Sequence, residues 1–562
     1  MVYDPNSLSN IDKIKTNHVD LKLKVNFEEK LIEGSVTLHL VNLVDDVHKV
    51  ILDTNHLEIK SVSRDGQELP FRFGEENEKF GLPLHIDLKD NLAVNTKFTI
   101  DITYNSTSGC TALQWLEPSQ TVGKKYPYLF TQCQAIHARS LLPCQDTPAF
   151  KLSYNAEVTV PSPLRALMSA IIEIPSYLIA LAVGNLEGRV IGPRSTVWSE
   201  PEVVGGAAWE FEETEKFIAT GEQLLTPYEW GKYDLLVLPA SFPYGGMENP
   251  CLTFVTPTLL AGDRSLVDVI AHEISHSWMG NLVTTANWEH FWLNEGWTIF
   301  TERKIISYVH SEKHAEFDSI IGWRALSDDI KLFGSDNPLT ALAPNLKGID
   351  PDDCFSSVPY EKGYNFLYYI QKVVGGSLIF EPYMKAHVKN FIGKSITTQD
   401  WKDFLYSYME TNYGPEMKAK LDSIDWNSWL YAPGMPPVKN DFDQTLAKAL
   451  VLLERLSEYK PFPHIAIAAM DHFYSFTNVR NSEIKFRWHV LCLNTSYEPI
   501  YQHVVKFVTE QGRMKYVRPL YRLLNKAKNG SELAKKTFLE NRSFYHPIAA
   551  SMIAKDILGK DC

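Results

Sequence analysis

The sequence predicts a multidomain α+β fold with three parts: a β-rich N-terminal domain, a mixed middle domain and a helical C-terminal domain. The length of 562 residues exceeds what one hydrophobic core usually accommodates. Alternating apolar and polar residues prevail in the first third of the chain, whereas helical periods prevail later. A cluster of prolines separates the middle helices from the last ones. These patterns indicate three domains in series.

The N-terminal domain is expected to cover residues 1–186 and to be mostly antiparallel β-structure. Residues 21–27 and 36–40 alternate apolar and polar side chains, which places the apolar ones on one face of a sheet. Turn signals such as Asp65-Gly66 separate segments of this kind.

The middle domain is expected to cover residues 187–430. The apolar run at residues 235–238 has the pattern of a buried strand, and it leads through the glycine-rich segment 245–249 into a helix. Helical periods then continue to about Trp429. This order of elements favours a mixed domain that is rich in helices.

The C-terminal domain is expected to follow a linker at residues 431–442, where a cluster of prolines can continue neither a helix nor a central strand. Beyond it, residues 443–562 carry amphipathic helical faces such as the one formed by Ile484, Trp488 and Leu491. Helices in series predict a small α-solenoid, although no clean repeat period is present.

The charge balance excludes a broad basic surface. Acidic residues outnumber basic ones by 68 to 55, which gives a formal net charge of −13 at pH 7. Nucleic acids and anionic membranes attract positively charged surfaces, so neither is an expected partner. Small substrates are favoured instead.

Several features favour the cytoplasm, with the nucleus as a second compartment. The longest apolar run, residues 177–183, is far too short to cross a bilayer, and the first residues do not have the pattern of a secretion signal. Seven cysteines are scattered without paired spacing, which argues against a disulfide framework. We therefore expect reduced thiols.

The most informative motif is His-Glu-x-x-His at residues 272–276. On a helix, His272 and His276 leave the same face one turn apart, so both imidazoles can bind one metal ion. Glu273 points roughly 100° away, which suits it to act on a water molecule beside the metal. Its carboxylate is the expected general base. The same motif also occurs by chance on ordinary solvated helices.

The surroundings of the motif favour a helix and a third ligand. Ser265 and Asp268 have the pattern of a capping box at its start, and Gly280 provides a stop. Downstream, Glu295 completes a set of three protein ligands, which leaves one position for water as in catalytic zinc sites. Structural sites are closed by four ligands, and no cysteine lies near enough in sequence to be the fourth. The sequence thus predicts one catalytic Zn²⁺ per chain.

Three further segments accompany the zinc motif: residues 243–250 (Pro-Tyr-Gly-Gly-Met-Glu-Asn-Pro), 357–363 (Ser-Val-Pro-Tyr-Glu-Lys-Gly) and 510–515 (Glu-Gln-Gly-Arg-Met-Lys). Together these motifs resemble the gluzincin zinc aminopeptidases and, within that group, the leukotriene A4 hydrolase family. The resemblance extends over nearly the whole chain. It implies a saddle-like N-terminal β domain, a thermolysin-like zinc catalytic domain and a C-terminal α-solenoid.

The resemblance also implies roles for residues around the metal. Tyr360 would donate its hydroxyl hydrogen to the oxyanion that forms during hydrolysis, and Glu248 would hold the free amino group of a substrate. Without the surrounding motifs, each would be interpreted as an ordinary core, loop or surface residue. The other residues implied to contact the peptide are Gln132, Gln134, Tyr244, Gly245, Gly246 and Met247.

Other implied roles concern the opposite end of a substrate. Arg513 and Lys515 would bind its carboxylate, to which a guanidinium group can bond bidentately. Asp352 would direct water during hydrolysis of an allylic fatty-acid epoxide, a second activity of this family. Alone, these residues would be interpreted as a solvated helix face and an acidic turn. Phe355 departs from the pattern, because vertebrate relatives carry tyrosine there and a phenyl ring cannot hydrogen-bond.

These observations predict a monomeric zinc aminopeptidase that removes N-terminal residues from short peptides. A secondary epoxide hydrolase activity on leukotriene A4-like fatty-acid epoxides is also expected. Two alternatives are consistent with parts of the same pattern. A zinc endopeptidase would share the metal core without the role of Glu248, and a non-enzymatic scaffold would use the C-terminal helices for binding and the zinc for structure.

Overall fold

The observed architecture follows the predicted order of a β-rich, a mixed and a helical domain. The computed structural model describes residues 3–169, 172–443, 445, 447 and 463–559. Residues 448–462, which belong to the expected helical domain, lie outside the described part. The expected domain boundaries at residues 186, 430 and 442 stay predictions.

The sheets of the N-terminal domain have the alternating burial that the sequence predicts. Along the first strand, Val19, Leu21, Leu23 and Val25 are buried and the residues between them are more exposed, so one face of the sheet contacts the core. The strands are β1 (Ile14–Asn26), β2 (Leu31–Asn42), β3 (Val47–Thr54), β4 (Leu57–Arg64), β5 (Gln67–Glu68), β6 (Phe71–Phe73), β7 (Leu82–Leu92), β8 (Lys97–Ser106), β9 (Leu113–Leu116), β10 (Tyr128–Thr131), β11 (Ser153–Thr159), β12 (Arg165–Met168) and β13 (Leu181–Gly184).

The largest sheet of this domain has the strand order β11-β1-β2-β8-β4-β5. β1 lies inside it, antiparallel to β2 and parallel to β11, so the mainly antiparallel prediction holds with one parallel pair. Two smaller sheets have the orders β12-β13-β10-β9 and β3-β7-β6. A short helix, α1 (Ala138–Leu141), follows β10.

A second large sheet begins the middle domain. Its strands are β14 (Glu187–Val190), β15 (Thr196–Ser199), β16 (Asp234–Val237), β17 (Gly246–Met247) and β18 (Leu252–Val255). Their order is β14-β15-β16-β18-β17, which places β17 at one edge. The central strand β16 is buried along its length and parallel to both neighbours, which explains the uninterrupted apolar run in the sequence.

Helices form most of the remaining middle domain. They are α2 (Pro201–Glu210), α3 (Thr214–Leu224), α4 (Asp268–His276), α5 (Trp292–Val309), α6 (Glu312–Phe333), α7 (Gly363–Val374), α8 (Ser377–Phe391), α9 (Thr398–Tyr413), α10 (Pro415–Asp422) and α11 (Trp426–Leu430). A small sheet joins β19 (Thr284–Thr285) to β20 (Ser395–Ile396). Because α4 packs against α5, the two parts of the predicted metal site come together.

The start of α4 differs from the prediction. Asp268 is its first residue and Val267 precedes it without a side-chain cap, so the predicted capping box of Ser265 and Asp268 is wrong. The Ser265 hydroxyl instead accepts a hydrogen bond from Asn481 of the helical domain. Gly280 lies beyond the end of α4 with φ +112°, a conformation that glycine adopts without strain, which fits its predicted place after the helix.

The C-terminal domain is helical, as predicted. Its buried residues form a hydrophobic cluster separate from the core that the first two domains share. The described chain between α11 and residue 443 has neither helix nor strand. No described helix is both long and apolar enough to cross a bilayer. The helices are α12 (His464–Tyr474), α13 (Ser482–Asn494), α14 (Tyr501–Glu510), α15 (Met514–Lys526), α16 (Ser531–Asn541) and α17 (Pro547–Leu558).

Candidate active site

The three predicted metal ligands converge between α4 and α5. The Nε2 atoms of His272 and His276 lie 3.2 Å apart. Glu295 Oε2 lies 3.6 Å from His272 Nε2 and 3.3 Å from His276 Nε2. With zinc–ligand distances of about 2.0–2.1 Å, tetrahedral coordination needs ligand atoms roughly 3.3–3.4 Å apart. The three atoms therefore surround a position that suits a zinc ion.

The contacts around these ligands favour a metal ion over a hydrogen-bonded cluster. Glu295 Oε2 is buried and has no hydrogen-bond partner among the described residues, so a cation would satisfy it. His272 Nδ1 lies 2.9 Å from Glu302 Oε2, and His276 Nδ1 lies 2.9 Å from the carbonyl oxygen of Met279. When each Nδ1–H donates to its oxygen, both Nε2 lone pairs point to the metal position.

The predicted general base, Glu273, lies on α4 beside this position. Its carboxylate lies within 4.8 Å of the nearest ligand atom of His276. Burial raises the pKa of Glu273 to about 8, and the neighbouring carboxylates of Glu248 and Glu295 act in the same direction. A Cβ at Gly246 would collide with the Glu273 carboxylate, so this glycine makes room for the base.

Tyr360 lies in a single π-helical turn, Val358–Lys362, that precedes α7. Its ring stacks beside the ring of His272, with centroids 6.1 Å apart. Burial raises the pKa of Tyr360 well above its usual value, so the hydroxyl group stays protonated and can donate a hydrogen bond. π-helical turns are frequent at functional sites.

Two buried cations hold this turn in place. Arg303 of α5 donates to both carboxylate oxygens of Glu361, at 2.9 and 2.8 Å. Lys362 Nζ donates to three backbone carbonyl oxygens, two of which belong to the linker after α11. The two residues that follow Tyr360 are thus anchored to the helix that carries Glu295 and to the linker.

The segment before α4 brings the predicted amine anchor to the metal site. Glu248 is buried, and its carboxylate lies within 4.8 Å of that of Glu273. Gln134 Nε2 approaches Glu248 Oε1 at 3.5 Å, and Gln132 Nε2 approaches Met247 Sδ at 3.2 Å. Both predicted glutamines of the N-terminal domain therefore lie at this end of the site.

The two predicted carboxylate-binding residues differ in their surroundings. Arg513 is buried, and its Nε has no hydrogen-bond partner among the described residues. Its guanidinium group faces Gly245, where a Cβ would lie 2.6 Å from Nη2. Lys515 is about half exposed and forms an ion pair with Glu483. Arg513 is therefore the better-placed partner for a substrate carboxylate.

An apolar cavity lies beside Tyr360. It contains about 640 Å³ of empty space, including its mouth. The rings of Phe291 and Phe355 pack near Tyr360, with centroids 6.3 and 6.4 Å from it, so the cavity adjoins the metal site. Most of its lining is aliphatic or aromatic, and the predicted site residues in it are Gln134, Tyr244 and Asp352.

Asp352 lies in a 3-10 turn, Pro351–Cys354, as the acidic run in the sequence predicts. Its Oδ2 lies 2.9 Å from His137 Nε2, and His137 Nδ1 lies 2.7 Å from Thr111 Oγ1. Burial lowers the pKa of His137, but the carboxylates of Asp352, Asp350 and Asp146 together outweigh this effect and raise the pKa above its usual value. The N-terminal domain thus fixes the position of the Asp352 carboxylate.

Sequence reasoning missed several residues that support the site, among them Glu302, His137 and Glu483. Glu302 carried a usable signal, because it follows Glu295 by about two helical turns and so lies on the same face of α5. The others meet partners from distant parts of the chain, which no local pattern indicates.

Three family models match the chain in series. The peptidase M1 N-terminal domain matches residues 15–178, the peptidase family M1 domain matches residues 209–429, and the leukotriene A4 hydrolase C-terminal domain matches residues 445–557. Their order agrees with the three observed domains.

Relatives match over the full length. Leukotriene A-4 hydrolase of Xenopus laevis is 44% identical over 99% of each chain. Leucine aminopeptidase 2 of Sclerotinia sclerotiorum is 41% identical over 99% of this chain and 100% of the relative. The solved structure of yeast LTA4 hydrolase in complex with bestatin matches with a TM-score of 0.91 and 38% identity, over 99% of this chain and 97% of that one. The chain therefore belongs to peptidase family M1, in the leukotriene A4 hydrolase group of its zinc aminopeptidases.

Proposed function

We propose that the chain removes single residues from the free N-terminus of short peptides and that Glu248 selects this end. The observation that carries the proposal is the second buried carboxylate, Glu248, within 4.8 Å of the general base Glu273. Zinc-assisted hydrolysis needs one carboxylate as the base. A second buried carboxylate beside it suits a positively charged amino group, which would neutralise it.

His272, His276 and Glu295 would hold one zinc ion per chain. When bound, zinc acidifies a water molecule and polarises the scissile carbonyl group. Glu273 accepts a proton from the attacking water and delivers it to the leaving amine. Tyr360 donates its hydroxyl hydrogen to the oxyanion that develops on the carbonyl oxygen.

The peptide backbone lies along β17 in this proposal. β17 is an edge strand, and extended peptides add to such edges through backbone hydrogen bonds. Glu248 directly follows β17, so a peptide paired with the strand ends with its ammonium group at this carboxylate. Gln134 lies within reach of the same group. Bestatin, which the yeast relative binds, is expected to occupy this end of the site.

Short peptides are favoured because Arg513 lies close to the amine end. Gly245 faces Arg513 and the adjacent Gly246 faces Glu273. The Cα atoms of these two neighbouring glycines are only about 3.8 Å apart. The carboxylate of Glu273 and the guanidinium group of Arg513 therefore lie beside the same short segment of the chain. A C-terminal carboxylate a few residues beyond the scissile bond then binds Arg513 bidentately.

The apolar cavity favours a second activity, the hydrolysis of a leukotriene A4-like allylic fatty-acid epoxide. The mostly aliphatic and aromatic lining of the cavity suits an alkyl chain, and Asp352 at its wall directs water to a carbon of the substrate. Arg513 holds the carboxylate of the fatty acid. Phe355 provides no hydroxyl group near Tyr360, so we rank the peptide as the main substrate.

Replacing Asp352 with asparagine tests this second activity. The variant should lose epoxide hydrolysis and keep peptide hydrolysis. Asp353→Asn is the matched control, because this neighbouring carboxylate pairs with Lys555 and does not line the cavity. Undiminished epoxide hydrolysis by Asp352→Asn would contradict the assignment.

Removal of zinc by a chelator tests the main function. Peptide hydrolysis should stop and should return when zinc is added, while the circular dichroism spectrum stays unchanged. Unfolding on chelation would support the alternative of a scaffold with structural zinc. Efficient cleavage of N-blocked peptides would support the endopeptidase.

We further propose that the enzyme acts as a monomer in the cytoplasm and also in the nucleus. The net charge of −13 disfavours nucleic acids and anionic membranes as partners. Sedimentation of the zinc-loaded enzyme and fractionation of cells test these two points.

A further inference from the structure

We propose that the outer face of the N-terminal sheet binds a divalent transition-metal ion through His18, Asp20 and His39. Imidazole and carboxylate groups together form a donor set for ions such as Zn²⁺, Co²⁺, Ni²⁺ and Cu²⁺. One potential ligand atom from each of the three side chains lies within 4.8 Å of those of the other two. The site shares no residue with the catalytic centre.

The backbone of the sheet brings these side chains together. His18 of β1 lies directly opposite His39 of β2 in the antiparallel register, a position that puts Cβ atoms about 4.5–5.5 Å apart. Asp20 lies two residues after His18, so its side chain leaves the same face of the strand. β1 has β11 on its other side, so the cluster rests on three paired strands and not on a loop.

The atoms that would bind the ion already face one another. His18 Nε2 lies 3.2 Å from Asp20 Oδ1, and His39 Nε2 lies 2.7 Å from Asp20 Oδ2. The first distance is close to the roughly 3.3 Å that separates neighbouring ligands of a tetrahedral ion. The second distance would have to increase by a few tenths of an ångström when an ion binds. The ion replaces the protons that the imidazoles share with the carboxylate.

Neighbouring side chains orient two of the ligands. Ser153 Oγ of β11 lies 2.7 Å from His18 Nδ1, so this nitrogen can donate its hydrogen to the hydroxyl group, which leaves a lone pair on Nε2. Asn155, also on β11, donates to Asp20 Oδ1 at 3.0 Å, and its Nδ2 also lies 3.2 Å from His18 Nε2, a contact that a bound ion would replace. The same arrangement of an outer partner on Nδ1 supports both catalytic histidines.

The exposure of the cluster suits an ion with open coordination positions. The side chains of His18, Asp20 and His39 are 26, 42 and 41% exposed. Three protein ligands and water molecules can therefore complete the coordination shell. A bound ion would connect β1 to β2, and it would favour the folded domain because it binds only where the three side chains meet.

Zinc stoichiometry tests the site in the holoenzyme. The zinc-loaded protein is dialysed against a zinc buffer, and zinc per chain is measured by mass spectrometry. Wild type should hold about one equivalent more than His39→Gln and Asp20→Asn. His48→Gln is the matched control, because it removes an exposed histidine of the same domain outside the cluster, and it should keep the additional equivalent.

Two further measurements make the result decisive. Unchanged peptide turnover shows that His39→Gln and Asp20→Asn are folded, since neither residue belongs to the active site. One equivalent of Cu²⁺ added to the zinc-loaded enzyme should show nitrogen couplings from two imidazoles in the electron paramagnetic resonance spectrum of wild type but not of His39→Gln, a comparison that separates this site from the two-histidine catalytic centre. The proposal is overturned if wild type holds no additional zinc, or if the additional zinc persists in both variants.

Discussion

Arg303 and Glu361 form a buried ion pair in which two guanidinium nitrogens contact the two carboxylate oxygens at 2.9 and 2.8 Å. Arg303 lies on α5, the helix that carries the ligand Glu295, and Glu361 directly follows Tyr360. The pair therefore connects the metal ligand to the hydroxyl group that we assign to the oxyanion. Neither partner carries a sequence signal for this role.

Replacement of Arg303 by methionine should destabilise the middle domain by about 3–5 kcal/mol, because Glu361 would keep a buried charge without its partner. The double variant Arg303→Met/Glu361→Met should recover much of this loss, and both variants should have lower peptide turnover. Urea unfolding and steady-state kinetics measure the two effects. Lys331→Met is the control, because its pair with Asp328 is exposed and should contribute at most about 1 kcal/mol. The prediction is contradicted if Arg303→Met lowers the free energy of unfolding no more than Lys331→Met does.

Glu273→Gln should keep zinc and lose peptide hydrolysis. The amide preserves the size of the side chain but cannot accept the proton of the attacking water, so turnover should fall by about 10²–10⁴-fold. Metal analysis of the purified variant and kinetics on one tripeptide measure this. His276→Gln is the contrasting variant, which should lose zinc as well. Substantial turnover in Glu273→Gln would rule out the assigned base.

Arg513 should matter more than Lys515 for peptides with a free C-terminus. A buried charge-assisted pair contributes about 1.5–3 kcal/mol, so Arg513→Met should lower kcat/KM for a tripeptide by roughly 10–150-fold. Lys515→Met should lower kcat/KM by a smaller factor, because Lys515 is exposed and already paired with Glu483. The C-terminally amidated tripeptide is the control, on which Arg513→Met should have little effect. A larger loss for Lys515→Met would reverse this ranking.

Lys151 should make the stability of the enzyme depend on pH. Its Nζ donates to the carbonyl oxygens of Asn281 and Leu282, and burial lowers the pKa of Lys151 to about 7. In the unfolded chain the pKa of this lysine is about 10.4. Between pH 7 and that value, the unfolded chain therefore binds more protons than the folded chain. Stability therefore rises with pH above 7, whereas the penalty for the buried charge is fully present below pH 7.

The variant Lys151→Met should lack this pH dependence. The thermal midpoint of wild type minus that of the variant should increase from pH 6 to pH 9. Lys394→Met is the control, because Lys394 is exposed although it also donates to a backbone carbonyl oxygen. A difference between wild type and Lys151→Met that stays constant over this range would argue against a buried, readily deprotonated lysine.

The convergence of the three proposed metal ligands could be predicted because the geometry of the first two is local. His272 and His276 are one helical turn apart, and helix packing needed only to bring Glu295 to them. The strands of the N-terminal domain could also be predicted, since their burial alternates with the sequence. In both cases, neighbours along the chain determine which face a side chain occupies.

The supporting contacts could not be predicted, because they join residues that are distant in the sequence. His137 meets Asp352 only after two domains have packed together, and Glu483 meets Lys515 only after two helices of the C-terminal domain have packed together. Ser265 shows the opposite error: a local capping pattern was predicted, but its hydroxyl group bonds to Asn481 of another domain. Tertiary contacts of this kind compete with local propensity and leave no periodic pattern.

The central claim is that Glu248 makes this zinc site select the amino end of a peptide. The most direct measurement compares kcat/KM for a tripeptide and its N-acetylated form, in wild type and in Glu248→Gln, which keeps the size of the side chain and removes its charge. Wild type should prefer the free amine by roughly 100-fold, as expected for a buried charge-assisted contact, and the variant should lose most of this preference. Equal cleavage of both peptides by wild type, or an undiminished preference in Glu248→Gln, would contradict the claim.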